Sequence, residues 1–151
     1  MERYLTLNLN NKHDALYFGR KFLKERNKWE KEIRDKKNEL DSILELSAIS
    51  NSEVHSSNIS KPTENTAFDR MKVEEELARL LSYKQILDYG LSNISETERR
   101  LIEGFFFTKG KSTNMIEDTF SHEFHYSPRT IKRMKNRAII AFVNAIREII
   151  T

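Results

Sequence analysis

The stretch Tyr126-Ser127-Pro128-Arg129-Thr130-Ile131-Lys132-Arg133-Met134-Lys135-Asn136-Arg137-Ala138 decides the fold. Ser127 suits an N-cap, because its hydroxyl accepts the unsatisfied backbone N–H groups of a helix's first turn. Pro128 falls at the first helical position, where a missing N–H costs nothing and its fixed φ matches the helix. From there Ile131, Met134, Ala138, Phe142, Ala145 and Ile149 recur at steps of three and four, an apolar stripe on one helix face. The opposite face of the first turns carries Arg129, Lys132, Arg133, Asn136 and Arg137, and no acidic residue lies between Ser127 and Arg147. A helix that packs by one face and offers cations and an amide at its N-terminal end has the character of a DNA recognition helix.

Upstream of this stretch the spacing predicts further helices. Ser112 is placed to cap a short helix through Met115, Ile116 and Phe120, extending to Phe124 if the chain does not turn first. Ser95-Glu96-Thr97-Glu98 reads as a capping box, with Ser95 as cap and Glu98 reaching back to the Ser95 N–H. The helix it starts would turn Leu101, Ile102, Phe105 and Phe106 inward and stop near Thr108-Lys109-Gly110. Helical spacing also runs from Phe68 to Tyr89, with Val73, Leu77, Leu80, Leu81 and Leu87 as its inner face, and Gly90 is expected to end it as a left-handed cap.

Residues 48–66 are rich in Ser, Asn and Thr and contain Pro62, a composition that predicts a flexible linker. Before it, about Lys12 to Ser47, Phe22, Trp29, Ile33, Leu40 and Ile43 fall on two heptad positions, flanked by Phe18, Leu23 and Leu44. Gly19, Arg26 and Lys36 interrupt that seam. The expectation is one long amphipathic helix or two, burying the stripe either against another helix of the chain or against a second copy in a homodimer. Residues 1–11 alternate briefly and suggest a short extended arm. The expected architecture is therefore all-α: an N-terminal helical segment 1–47, a linker 48–66 and a helical domain 67–151 whose centre is 95–142.

Charge agrees with a polyanion partner. The net charge is only +3, but residues 108–151 hold 8 basic and 4 acidic side chains, whereas residues 67–107 hold 6 and 8. With no run of about 18 apolar residues, no membrane span is expected. The N-terminus lacks an apolar signal region. The absence of cysteine excludes disulfides and thiolate metal sites and fits a reducing cytoplasm.

By periodicity alone, the same helices also describe a helical bundle with a solvated basic surface. Two stretches carry more. The order Phe107-x-x-Gly110-x-Ser112-x-x-x-Ile116-x-x-x-Phe120, then Tyr126-Ser127-x-x-Thr130-Ile131-x-Arg133-x-x-x-x-Ala138, resembles region 4 of the sigma-70 family. In particular it resembles the phage-encoded ArpU/RinA-type transcriptional regulators that share this fold, whose layout the Pro-Thr-Glu-Asn linker (62–65) after a long N-terminal helix also resembles. The resemblance implies a helix-turn-helix in which Ser112 opens the helix crossing the DNA backbone and Ser127 opens the helix entering the major groove, with Thr130 helping to cap and touching phosphate. Arg129, Lys132, Arg133 and Asn136 are then expected in the groove, and Arg137, Lys109 and Lys111 on phosphates. One departure is that Ser121-His122-Glu123-Phe124-His125-Tyr126 occupies a place the family fills with a tight glycine-containing turn.

The resemblance implies a regulator of phage or prophage late genes, bound to double-stranded DNA in the cytoplasm of a bacterial host, on its nucleoid, and acting with RNA polymerase. No segment matches the promoter-melting region of a complete sigma factor. A viral DNA-packaging subunit of the small-terminase kind is the rival reading, since it too joins a helix-turn-helix to oligomerising helices; a pure protein-interaction module is a third. No enzyme activity and no cofactor is expected. His122, Glu123 and His125 fall short of a metal-ligand set, Ser127 has no His–Asp partners, and no phosphate loop occurs. Glu74-Glu75-Glu76 reads as a solvated helix face, and Phe105-Phe106-Phe107 with Trp29 as core or interface rather than base-stacking platforms.

Overall fold

A computed structural model describes the backbone of residues 7–52 and 60–150 and the side chains of 7–46 and 66–150. Among the described residues the protein is all-α, without a strand. Six helices follow in order: α1 (Lys12–Lys24), α2 (Arg26–Ser52), α3 (Ser60–Ser92), α4 (Glu96–Ile102), α5 (Thr113–Phe124) and α6 (Pro128–Ile150). A π-helical turn, Glu103–Phe107, prolongs α4.

Local cap chemistry explains most of the helix starts. Asn11 accepts from the His13 N–H at 2.8 Å and opens α1. Ser95 accepts from the Glu98 N–H at 3.2 Å and Ser112 from the Met115 N–H at 3.3 Å, opening α4 and α5. The reciprocal half of the Ser95 box differs from expectation: the Glu98 carboxylate accepts from the Ser95 hydroxyl, at 2.7 Å. The polar stretch read as a linker is helical at both ends, within α2 through Ser52 and within α3 from Ser60, while residues 53–59 lie outside the described residues. Pro62 is compatible with this because it sits in the first turn of α3, where its missing N–H had no helical partner anyway.

The described residues fall into two compact units whose boundaries differ from the chain-order division expected above. One unit is Lys28–Lys84; the other joins the residues up to Asn27 to those from Gln85 onward. The N-terminal stripe is therefore not one seam. Trp29 and Ile33 are buried in the Lys28–Lys84 unit, where α2 and α3 run antiparallel. Trp29 stacks on Tyr83 with ring centroids 5.3 Å apart, and the Lys36 Nζ lies 2.7 Å from a Glu76 carboxylate oxygen. That contact holds the Lys36 ammonium above the usual lysine range and the Glu76 carboxyl below the usual carboxylate range. Among the described residues of this hairpin, Val73 and Leu80 are also buried, and Leu44, Leu46, Phe68 and Met71 are exposed.

Phe18, Phe22 and Leu23 belong instead to the core of the other unit, together with Leu87, Leu101, Ile102, Ile116, Phe120, Ile131, Ile139, Phe142, Val143 and Ile146. The Phe22 ring meets Phe18 at 5.6 Å and Phe142 at 5.9 Å. Two glycines make this packing possible. A Cβ on Gly19 would lie 2.5 Å from Ile139 Cγ2, and one on Gly90 would lie 2.4 Å from Phe142 Cε2. Gly90 is thus not the expected left-handed cap: α3 continues through it to Ser92 without a positive φ. Its role is to let α6 approach α3 closely. Similarly, Gly19 does not interrupt a seam but admits α6 against α1.

The α6 stripe is buried at Ile131, Ala138 and Phe142, half-buried at Met134 and Ala145, and exposed at Ile149. Its deepest line instead adds Ile139, Val143 and Ile146, because α6 is covered by α1 as well as by α4 and α5.

Candidate nucleic-acid interface

The connection between α5 and α6 is short. α5 runs on through Phe124, which absorbs most of the extra residues noted in the sequence, and His125 then takes a left-handed conformation with φ 58° and ψ 37°. His is among the few non-glycine residues that populate this region. The Ser121 hydroxyl donates to the Tyr126 carbonyl and ties the turn to the last part of α5. Ser127 then caps α6: its Oγ accepts from the Thr130 N–H at 3.3 Å and lies 3.0 Å from the Thr130 hydroxyl. Replacing Ser127 with alanine should cost about 1 kcal/mol of stability, read as a lower urea midpoint with an unchanged slope. An unchanged midpoint would show that the cap bond carries nothing.

On α6 the residues Arg129, Lys132, Arg133 and Arg137 are exposed and share one face. Ile131 and Ala138 face the core between them. Lys109, Lys111 and Ser112 are exposed in the segment that leads into α5, and the Ser112 hydroxyl is engaged as the α5 cap. Thr130 is half-buried, and its hydroxyl is engaged with Ser127. Thus α6 brings Arg129, Lys132, Arg133 and Arg137 together, whereas Lys109, Lys111 and Ser112 come from another segment.

Asn136 is differently placed. It is half-buried, and its side-chain oxygen accepts from Arg20 of α1 at 2.9 Å. Reading an adenine edge needs both the oxygen and the amide of an asparagine. The oxygen is already shared with Arg20, so Asn136 serves first as the link between α6 and α1.

Three side chains of this region were not among the sequence candidates. Glu117 of α5 is buried; one carboxylate oxygen lies 3.9 Å from Lys132 Nζ and the other is without a hydrogen-bond partner. Lys135 is half-buried, its ammonium 4.6 Å from the Phe105 ring centre and 5.5 Å from that of Phe106. Burial pushes Lys135 below the usual lysine range, and the cations of Arg20, Lys24 and Lys132 push the same way, against Glu117. Arg20 is the third. The only sequence signal for these contacts is local: Lys135 lies within the cationic stretch. The partners on α1 are more than a hundred residues away.

The Phe105-Phe106-Phe107 run is half-buried rather than fully inward, since the π-helical turn shifts its facing. Phe105 stacks on Phe120 at 5.5 Å, and Phe107 lies under the Arg26 guanidinium at 4.4 Å. Glu123 is engaged by Arg100, and among the described residues no three acidic or histidine side chains gather as a metal-ligand set. No helix among the described residues is long and apolar enough to cross a membrane. Comparison of this chain with protein-family models, with curated proteins and with solved structures finds no match.

Proposed function

We propose that the protein is a sequence-specific double-stranded DNA-binding regulator of the ArpU/RinA kind, with α5 and α6 as a helix-turn-helix and α6 as the helix that enters the major groove. One observation carries this reading. The first turns of α6 expose Arg129, Lys132, Arg133 and Arg137 on one face, while Ile131, Ala138 and Phe142 on the other are buried. A helix with side chains is about 10–12 Å across, and the major groove of B-DNA is about 12 Å wide, so such a face fits it. The cations compensate phosphate charge, and the arginines offer paired donors to guanine edges.

The expected homodimer takes a changed form within this proposal. Trp29 and Ile33 are already buried within the chain, so the surface offered to a second copy is the exposed Leu44, Leu46, Phe68 and Met71 of the α2–α3 hairpin. RNA polymerase is the second proposed partner, and the bacterial nucleoid of a phage host the proposed location.

Selection from a pool of randomised duplexes tests the reading. Enrichment of one compact motif, with affinity that falls steeply as salt rises, is the expected result. Absence of both would overturn DNA binding in favour of a protein-interaction module. Light scattering on the same sample addresses the packaging rival, which requires a ring of many subunits where a regulator is a monomer or dimer.

A further inference from the structure

The register of α1 on α6 has a consequence for the DNA-facing surface. Arg147 donates to the Asn10 side-chain oxygen at 2.6 Å, Gly19 faces Ile139 and Val143, and Arg20 donates to Asn136. As residue numbers rise along α1 they fall along α6, so the two helices are antiparallel. The last turns of α1 therefore arrive beside the cationic first half of α6. Arg20 and Lys24 are both exposed there, one helical turn apart, and both act electrostatically on Lys135. Three cations, Arg20, Lys24 and Lys132, thus gather around a fourth, Lys135, and the buried Glu117 carboxylate opposes them there.

Such a gathering of like charges is unfavourable in the free protein and is relieved by an anion placed against it. The geometry selects which anion. If α6 fills the major groove, a helix packed on it at roughly 8–10 Å cannot share that groove, and the Arg20 contact with Asn136, which lies between Lys132 and Arg137 in α6, sets the end of α1 toward the strand that borders it. What that border presents is phosphate.

We infer that Arg20 and Lys24 of α1 form a second contact with the DNA, gripping the sugar–phosphate backbone beside the groove that α6 reads. This rests on the helix-turn-helix reading above and extends it to a segment for which the sequence offered either an internal helix partner or a second copy. The contact is to charge alone and carries no base preference, and Asn136 holds Arg20 in place through its side-chain oxygen.

The test compares the full-length protein with the double variant Arg20→Ala/Lys24→Ala, binding its selected duplex and a scrambled duplex across a salt series. Both replaced side chains are exposed, and an unchanged circular-dichroism melt confirms folding. The double variant should weaken binding to both duplexes by the same factor and reduce the slope of log affinity against log salt by about 2. Arg20→Lys, which keeps the charge, should retain the affinity. Arg34→Ala/Lys37→Ala removes the same charge from exposed positions on α2 and should leave the slope unchanged. If the Arg20/Lys24 variant binds with an unchanged slope while Arg133→Ala loses discrimination, the inference falls and the parent reading stands. A change in the ratio between selected and scrambled duplexes would also overturn it, since that would make α1 a reader of bases. Absence of any salt-dependent affinity in the unmodified protein would remove the parent reading and this inference together.

Discussion

Phe142→Ala should lower the free energy of unfolding by about 3–5 kcal/mol, the range for a fully buried phenylalanine in a core that cannot collapse. The side chain is fully buried and sits at a junction of three helices. Its ring meets Phe22 of α1 at 5.9 Å and fills the space that the missing side chain of Gly90 leaves on α3. Each neighbour is fixed by further contacts, Phe22 by Phe18 and α6 by Ile139 against Gly19, so the lost volume has nothing adjacent to refill it. Urea unfolding followed by far-ultraviolet circular dichroism is the appropriate measurement. Trp29, the one tryptophan, belongs to the Lys28–Lys84 unit, so its fluorescence follows that unit instead. A loss below about 1 kcal/mol would mean that the three-helix junction is not where stability resides.

Arg133→Ala is the second. With α6 in the groove, Arg133 lies on the exposed face between Arg129 and Arg137, and its guanidinium is long enough to reach a base edge. A paired arginine–guanine contact is worth about 1–3 kcal/mol, so affinity for the selected duplex should fall roughly 5- to 150-fold. Affinity for a scrambled duplex should fall far less, and discrimination should relax at one base pair. Titrations of the variant against single-base-pair variants of the selected site show which pair. An equal loss on every duplex would assign Arg133 to phosphate, and no loss at all would take α6 out of the groove.

The features legible in the sequence are those whose chemistry is local. Ser95, Ser112 and Ser127 announce their helices because a cap needs only the next three residues, and the α6 stripe announces a buried face because periodicity is a property of one helix. Rules of the same local kind misled at Gly90. A glycine after an apolar run resembles a helix end, yet what requires it is a ring 52 positions away, Phe142, which no window of sequence contains. The stripe of the N-terminal segment, expected on one helix or two, is carried by two, α1 and α2, but its spacing did not say what each part packs against. Phe18 and Phe22 keep the spacing of Trp29 and Ile33, but they face a different unit, and spacing does not name the partner. The polar composition of residues 48–66 argued against helix, whereas α2 and α3 extend into it from both sides. Among the functional candidates, exposure of the α6 cations follows from their position opposite the stripe. The sharing of Asn136 with Arg20, across 116 residues, does not.

That same separation sets an order of events during synthesis. The Lys28–Lys84 hairpin is contiguous in the chain and can close as soon as α3 has left the ribosome. The unit containing α1 cannot. Its first helix emerges before the hairpin, but the surface that covers Phe18 and Phe22 is supplied by α6, which is made long after it. At about 5–20 residues per second, the 116 residues between Arg20 and Asn136 take roughly 6–23 seconds to make. Through that interval the aromatic face of α1 stays without its native cover, so the nascent chain passes through a stage at which it is most open to chaperones and to neighbouring chains. The cationic face of α6 proposed to meet DNA takes its place only once α6 itself is free.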